Sequence, residues 1–164
     1  MPTPRYNRPK LEMIPKSSEP PVEDKIARSI QEVFDARWKR MTNPIPVYCR
    51  NRPASVPTKR ECIALTVVRG SKITTKNESG ETVERQLGVV FFQIFTPTDA
   101  GLERATQIAG LISPVFGVEE VKTDSIIILF RPLEIIPVGG RKGYFQLNAR
   151  VPFVADTVSQ KGLG

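Results

Sequence analysis

Residues 89–95 read VVFFQIF, apolar at six of seven positions, and "TPTDAG" at 96–101 then stops the run. In an extended chain successive side chains point to opposite faces, so a strand with one wet face alternates apolar and polar residues. This segment does not alternate. Val89, Phe91 and Phe95 load one face, and Val90, Phe92 and Ile94 load the other. The segment therefore belongs in the middle of a sheet with cover on both sides, and the chain has only 164 residues with which to supply it.

One cover is legible. Residues 22–41, "VEDKIARSIQEVFDARWKRM", carry Ile26, Ile30, Val33, Phe34, Trp38 and Met41 at spacings of three and four, an amphipathic helix with its apolar stripe toward a core. Glu23 and Asp24 in the first turn and Lys39 and Arg40 in the last suit the helix dipole, and Pro44 ends the segment. A second helix follows the central strand, with Thr98 as N-cap and Asp99 in the first turn. It is expected to send Leu102, Ala105, Ile108, Ala109, Ile112 and Phe116 inward, and Pro114 and Gly117 close it.

Further strands are expected at 62–68 ("CIALTVV"), 125–136 ("SIIILFRPLEII") and 143–154 ("GYFQLNARVPFV"). In the last, Phe145, Leu147, Ala149, Val151 and Phe153 alternate with Tyr144, Gln146, Asn148, Arg150 and Pro152, giving one buried and one wetter face. With Pro152 unable to donate, that strand is expected near the sheet rim. Between 62–68 and 88–95 lies a long connection with a turn signal at "NESG", read as an antiparallel hairpin whose tip, 69–86, reaches beyond the sheet. Gln93, alone among apolar residues, is expected to satisfy local backbone groups. The pieces predict an α+β fold: a mainly antiparallel sheet, two helices packed on one face, and a long β-hairpin arm. The second face of the central strand is left short of cover, and a sister subunit is the economical solution, so an oligomer is expected.

Charge and chemistry narrow the function. The net charge of +7 is uneven: residues 1–60 hold 13 Lys/Arg against 6 Asp/Glu, and the remainder holds 11 of each. A basic leading segment can meet nucleic acid or an acidic protein surface, yet few aromatics are interleaved with its cations as stacking platforms. There is no histidine, which removes the usual triads, the H-E-x-x-H zinc motifs and the commonest neutral-pH proton shuttle. "VGGRKG" at 138–143 lacks the phosphate-loop spacing and reads as a turn. These absences argue against an enzyme, and no cofactor or metal is expected. Cys49 and Cys62 have no metal spacing and are expected as free thiols. No apolar run approaches the ~20 residues of a membrane span, and no apolar leader segment opens the chain.

Three domains of behaviour follow: a proline-rich arm at 1–21, a folded body at 22–155 and a tail at 156–164. The arm is either disordered or a strap on a neighbour, with Leu11, Met13 and Ile14 as anchors.

Three stretches in order, "IPVYCRN" with "CIALTVVRG", then "RQLGVVFFQIFTPTDAGLERATQIAGLISPVF", then "GYFQLNARVPF", resemble the tail terminator family of long-tailed bacteriophages, related to the lambda minor tail protein U. The resemblance spans about residues 22–155 and includes Arg85 and Gly88 at the family's arginine–glycine pair. It implies a virion protein in the neck region of the tail, a homo-oligomer assembled as a hexameric ring on the head-proximal end of the tube. Its neighbours would be the tail tube protein and the head–tail connector or stopper, with DNA only as passing cargo and no membrane. On that reading the hairpin residues Arg69, Lys72, Lys76, Glu78, Glu81 and Arg85 are candidates for contact with the tube or an adjacent subunit, Arg85 either bracing a strand end or bridging to a neighbour. Another neck component and a basic nucleic-acid-binding module are the alternatives.

Overall fold

The computed structural model describes residues 22–40, 47–48, 61–117, 120–123, 125–141 and 143–158. Expectations placed on Leu11, Met13, Ile14, Met41, Cys49 and residues 159–164 lie outside the described residues. In chain order the elements are α1 (Val22–Trp38), β1 (Val47–Tyr48), β2 (Cys62–Lys76), β3 (Thr82–Pro97), α2 (Gly101–Phe116), β4 (Val121–Thr123), β5 (Ile126–Phe130), β6 (Glu134–Arg141) and β7 (Tyr144–Val158). The strands form one sheet in the order β1-β2-β3-β7-β5-β4, with β6 also on β7. Among the described residues only β1 and β2 run parallel, and every other pair is antiparallel. This is the α+β architecture the sequence predicts.

Both helices pack on one face. Ile26, Ile30, Phe34 and Trp38 of α1 are buried at a strict spacing of four, and α2 buries Ala105, Ile108, Ala109, Ile112, Val115 and Phe116. Between them stand the helix-side residues of the strands: Ile63 and Leu65, Val90, Phe92 and Ile94, Leu147, Ala149, Val151 and Phe153. Phe34 is the hub, with ring centroids 5.3 Å from Trp38, 5.4 Å from Phe92 and 5.9 Å from Phe116. Two polar ties lock the helices. Arg37 Nη1 donates to the Val115 carbonyl, an orphan of the last turn of α2, and Arg104 pairs with Glu61 just before β2.

The second helix starts later than expected. Thr98 is exposed and caps nothing; Ala100 precedes the helix, and Gly101 turns the chain at φ 55° while the Thr96 hydroxyl donates to its carbonyl. That entry angle swings Leu102 outward, where it is 51% exposed rather than buried. Pro114 does not end the helix but sits in its last turn, and Gly117, at φ 54°, does.

β7 is the second correction. It lies inside the sheet, paired to β3 from Tyr144 to Val158 on one side and to β6 and β5 on the other. Pro152 is tolerated because the opposing strand breaks there. β5 pairs as far as Phe153, β6 begins at Arg150, and between them the Arg131 N–H donates to the Pro152 carbonyl. In an extended strand a residue's N–H and C=O point to the same side, so the missing donor faces that break and not β3. β7 also continues three residues past the expected end of the body.

The hairpin differs too. The expected connection at 69–86 is strand almost throughout, joined by a turn over Asn77–Gly80 with Gly80 at φ 77°. The Glu81 N–H donates to Asn77 Oδ1 at 2.8 Å, closing the turn. Because β7 follows β3 up to Val83, only the far end of the hairpin projects from the sheet.

Candidate functional site

Register decides which residues share the face away from the helices. Cross-strand partners lie on the same side, so Val68, Val89 and Pro152 form one row, and Leu87, Val154 and Leu129 form the next. Val68 is 49% and Leu129 42% exposed, and the other four are half-buried. Phe91, half-buried, stands beside the first row between Thr66 and Arg150. Six adjoining apolar side chains without a covering helix make a contiguous patch of the kind that marks an interface.

Charged pairs frame this patch at both ends. On one side Arg150 bonds Glu134, its direct partner across β6–β7. On the other, Arg85 Nε and Nη2 each donate to Asp156 at 2.8 Å, a two-pronged contact across β3–β7. The hydrogen bonds and charge of Asp156 hold the Arg85 guanidinium above its already high value, so Arg85 stays charged. Arg150 and Asp156 are six residues apart on one strand, about 20 Å. The frame is thus neutral and its cations are already engaged.

The six hairpin residues singled out from the sequence do not form one cluster. Arg69, Lys72 and Lys76 pair with Gly88, Gln86 and Thr82, which puts all three on the helix side of β2, beyond the helices. Arg85 lies on the opposite face and braces its own chain through Asp156. Lys72 meets Glu84 at 3.2 Å, Glu81 meets Asn77, and Arg69, Lys76 and Glu78 are exposed. Gln93 is half-buried on the helix-free face; the buried amide that serves backbone groups is Gln86. Its Nε2 donates to the carbonyls of Gly70 at 3.0 Å and Leu87 at 2.7 Å, filling the irregularity where β2 gains a residue between Arg69 and Lys72. Sequence alternation puts Val89 on one face of the central strand and Pro152 on the wetter face of the last one, but no local pattern records the registration that joins them in rows with Val68, Leu87, Val154 and Leu129.

At the far end of the same face Cys62, Ala64 and Phe95 form a second buried cluster, with Tyr144 edge-on to Phe95 at 5.6 Å. Burial pushes the Cys62 thiol from 9.0 up to about 11, so it stays protonated and a poor nucleophile at neutral pH. In a Cys49→Ser background, Cys62 is expected to resist iodoacetamide in the folded protein at pH 7.5 and to react on unfolding. The raised value also stabilises the fold fully below pH 9 and loses that contribution as pH climbs toward 11. Denaturation curves of Cys62→Ala should therefore converge on those of the parent across that window. Fast labelling of the native protein, or a pH-independent difference, would contradict this environment.

Among the described residues no helix is long and apolar enough to cross a membrane, and no group of three metal-ligating side chains occurs. The chain matches no protein-family model and no curated protein. The chain is similar to several solved structures; one of them has 17% sequence identity and a TM-score of 0.58, over 84% of this chain and 96% of that one. At that identity the likeness is one of fold: a sheet with its helices gathered on a single side, found again in another protein.

Proposed function

We propose that this chain is a structural virion protein of the tail-terminator type, which caps the head-proximal end of a phage tail tube as a ring, stops tube growth and offers the surface for head attachment. The observation that carries the proposal is the apolar double row on the helix-free face, Val68, Val89, Pro152, Leu87, Val154 and Leu129. Its ionic frame is closed within the chain, so it offers no free cations to phosphate and suits an apolar protein surface. The resemblance of the three sequence stretches to the terminator family supplies the kind of assembly.

The physics needs no reaction. A tube grows because each ring's top matches the next ring's bottom, a contact that repeats without closure. A terminator keeps one matching face and alters the other. A stable contact of this sort buries roughly 1,200–2,000 Å² in total, and the apolar rows supply the kind of core such a contact requires.

Native mass spectrometry and negative-stain microscopy of the purified protein are expected to show rings, six-fold on the family resemblance. Leu129→Glu places a charge within the rows without touching the core and is expected to reduce ring assembly at least tenfold while leaving the melting temperature within a few degrees. A strictly monomeric parent that neither caps tubes nor changes tail length when deleted would overturn the proposal. Leaking heads with tails of normal length would assign the chain to another neck component instead.

A further inference from the structure

An apolar cavity of about 280 Å³ opens between the end of α2 and the break separating β5 from β6, lined by Pro114, Phe116, Phe130, Pro132, Leu133 and Val151. Arg131 stands at its rim, exposed and in no ion pair with another described residue. The cavity therefore asks for an aliphatic side chain with an acidic neighbour. The start of the same helix offers that pair. Leu102, in the first turn of α2, is the most exposed of the large apolar side chains among the described residues. Asp99 and Glu103 flank it in sequence, both exposed and neither in an ion pair with another described residue.

We propose that copies of this chain join head to tail, Leu102 of one copy entering the cavity of the next, with Asp99 and Glu103 beside that copy's Arg131. The contact lies on the helix side of the sheet, apart from the apolar rows, and rests on the assembly proposed above only in requiring that copies meet. Three observations carry it. First, the charges match: two acids stand beside the knob and a guanidinium beside the hole. Second, the chain's own packing gives the knob no use. Gly101, at φ 55°, turns α2 so that Leu102 points away from the core, and the large side chain is left in water. Third, knob and hole cannot meet within one molecule. Leu102 and Phe116 are 14 residues apart on one helix, about 21 Å, far beyond the reach of a leucine side chain. A knob that fits a hole elsewhere on the same surface makes a heterologous contact, which passes from copy to copy and closes into a ring when the rotation allows. The helix ends agree with this order. The start of α2 carries the positive end of its dipole and the cavity lies at the negative end, so the junction sets opposite ends together.

The test mixes two full-length variants, each broken on one side of the junction. Leu102→Asp removes the knob, and Pro132→Asp charges the cavity rim against the incoming acids. Both positions are exposed, so dilute samples should melt within a few degrees of the parent. In native mass spectrometry each variant alone is expected to associate at least tenfold more weakly than the parent, because every junction needs both a knob and a hole. An equimolar mixture regains one intact junction and should give one-to-one dimers that grow no further. Arg131→Glu should weaken the parent's association about two- to fivefold, the range of an exposed ion pair, and Glu103→Arg added to it should restore it. Rings formed undiminished by either variant alone would overturn this contact and leave the capping reading standing, whereas head-to-tail rings that cap no tube would do the reverse. A mixture no more associated than its separate components, or a parent that stops at two copies, would also overturn the head-to-tail order.

Discussion

Phe34→Ala is expected to lower the unfolding free energy by about 3–5 kcal/mol, the range for deleting a buried aromatic ring. Phe34 is fully buried and touches three other rings from three elements: Trp38 on its own helix, Phe92 on the central strand and Phe116 at the end of α2. Truncation leaves a void among rings that α1 and α2 hold at fixed spacing, so little collapse is available to fill it. For a chain of this length each kcal/mol shifts the melting temperature by roughly 2–4 °C, so a fall of ~6–20 °C should appear in thermal denaturation. Leu102→Ala is the control. Leu102 is 51% exposed, and its loss should stay within about 0.5 kcal/mol. Equal effects at the two positions would mean that α1 is not the lid of this core.

Gly88→Ala is expected to destabilise by about 1–3 kcal/mol, although alanine is intrinsically favoured over glycine within a strand by roughly 0.5–1 kcal/mol. The sign is set by what lies above Gly88. Its cross-strand partner is Phe153, and an added Cβ would stand 2.4 Å from Phe153 Cζ and 2.8 Å from the Val68 carbonyl oxygen. The ring could swing aside, but it is almost wholly buried among the helix-side residues, and the carbonyl belongs to a paired strand that has nowhere to go. Combining Gly88→Ala with Phe153→Leu should recover part of the loss, a coupling that equilibrium denaturation of the four proteins would measure. A Gly88→Ala protein as stable as the parent would show that the ring is not held over this position.

Much of the fold was written locally. The four-residue spacing of Ile26, Ile30, Phe34 and Trp38 named both a helix and its buried side, and the alternation of Leu147, Ala149, Val151 and Phe153 named the buried side of β7. The nearly continuous apolar run of Val89–Phe95, broken only at Gln93, placed β3 inside a sheet. Such patterns survive translation into sequence because each reports one element's periodicity against one interface. Pro152 misled for the same reason. A proline reports that a donor is missing, not which neighbour would have wanted it, and only the break between β5 and β6 made an interior position harmless.

The sequence by itself determined the class of fold, the residues of the main core and the absence of histidine chemistry, since composition and period are properties of the chain alone. Tertiary structure alone decided that Arg85 closes on Asp156, that Gln86 rather than Gln93 serves the backbone, and that Leu87, Val154 and Leu129 share a row. Strand registration is a long-range choice. It is fixed by the sum of contacts over the whole sheet, and a shift of one residue would carry every one of those side chains to the other face.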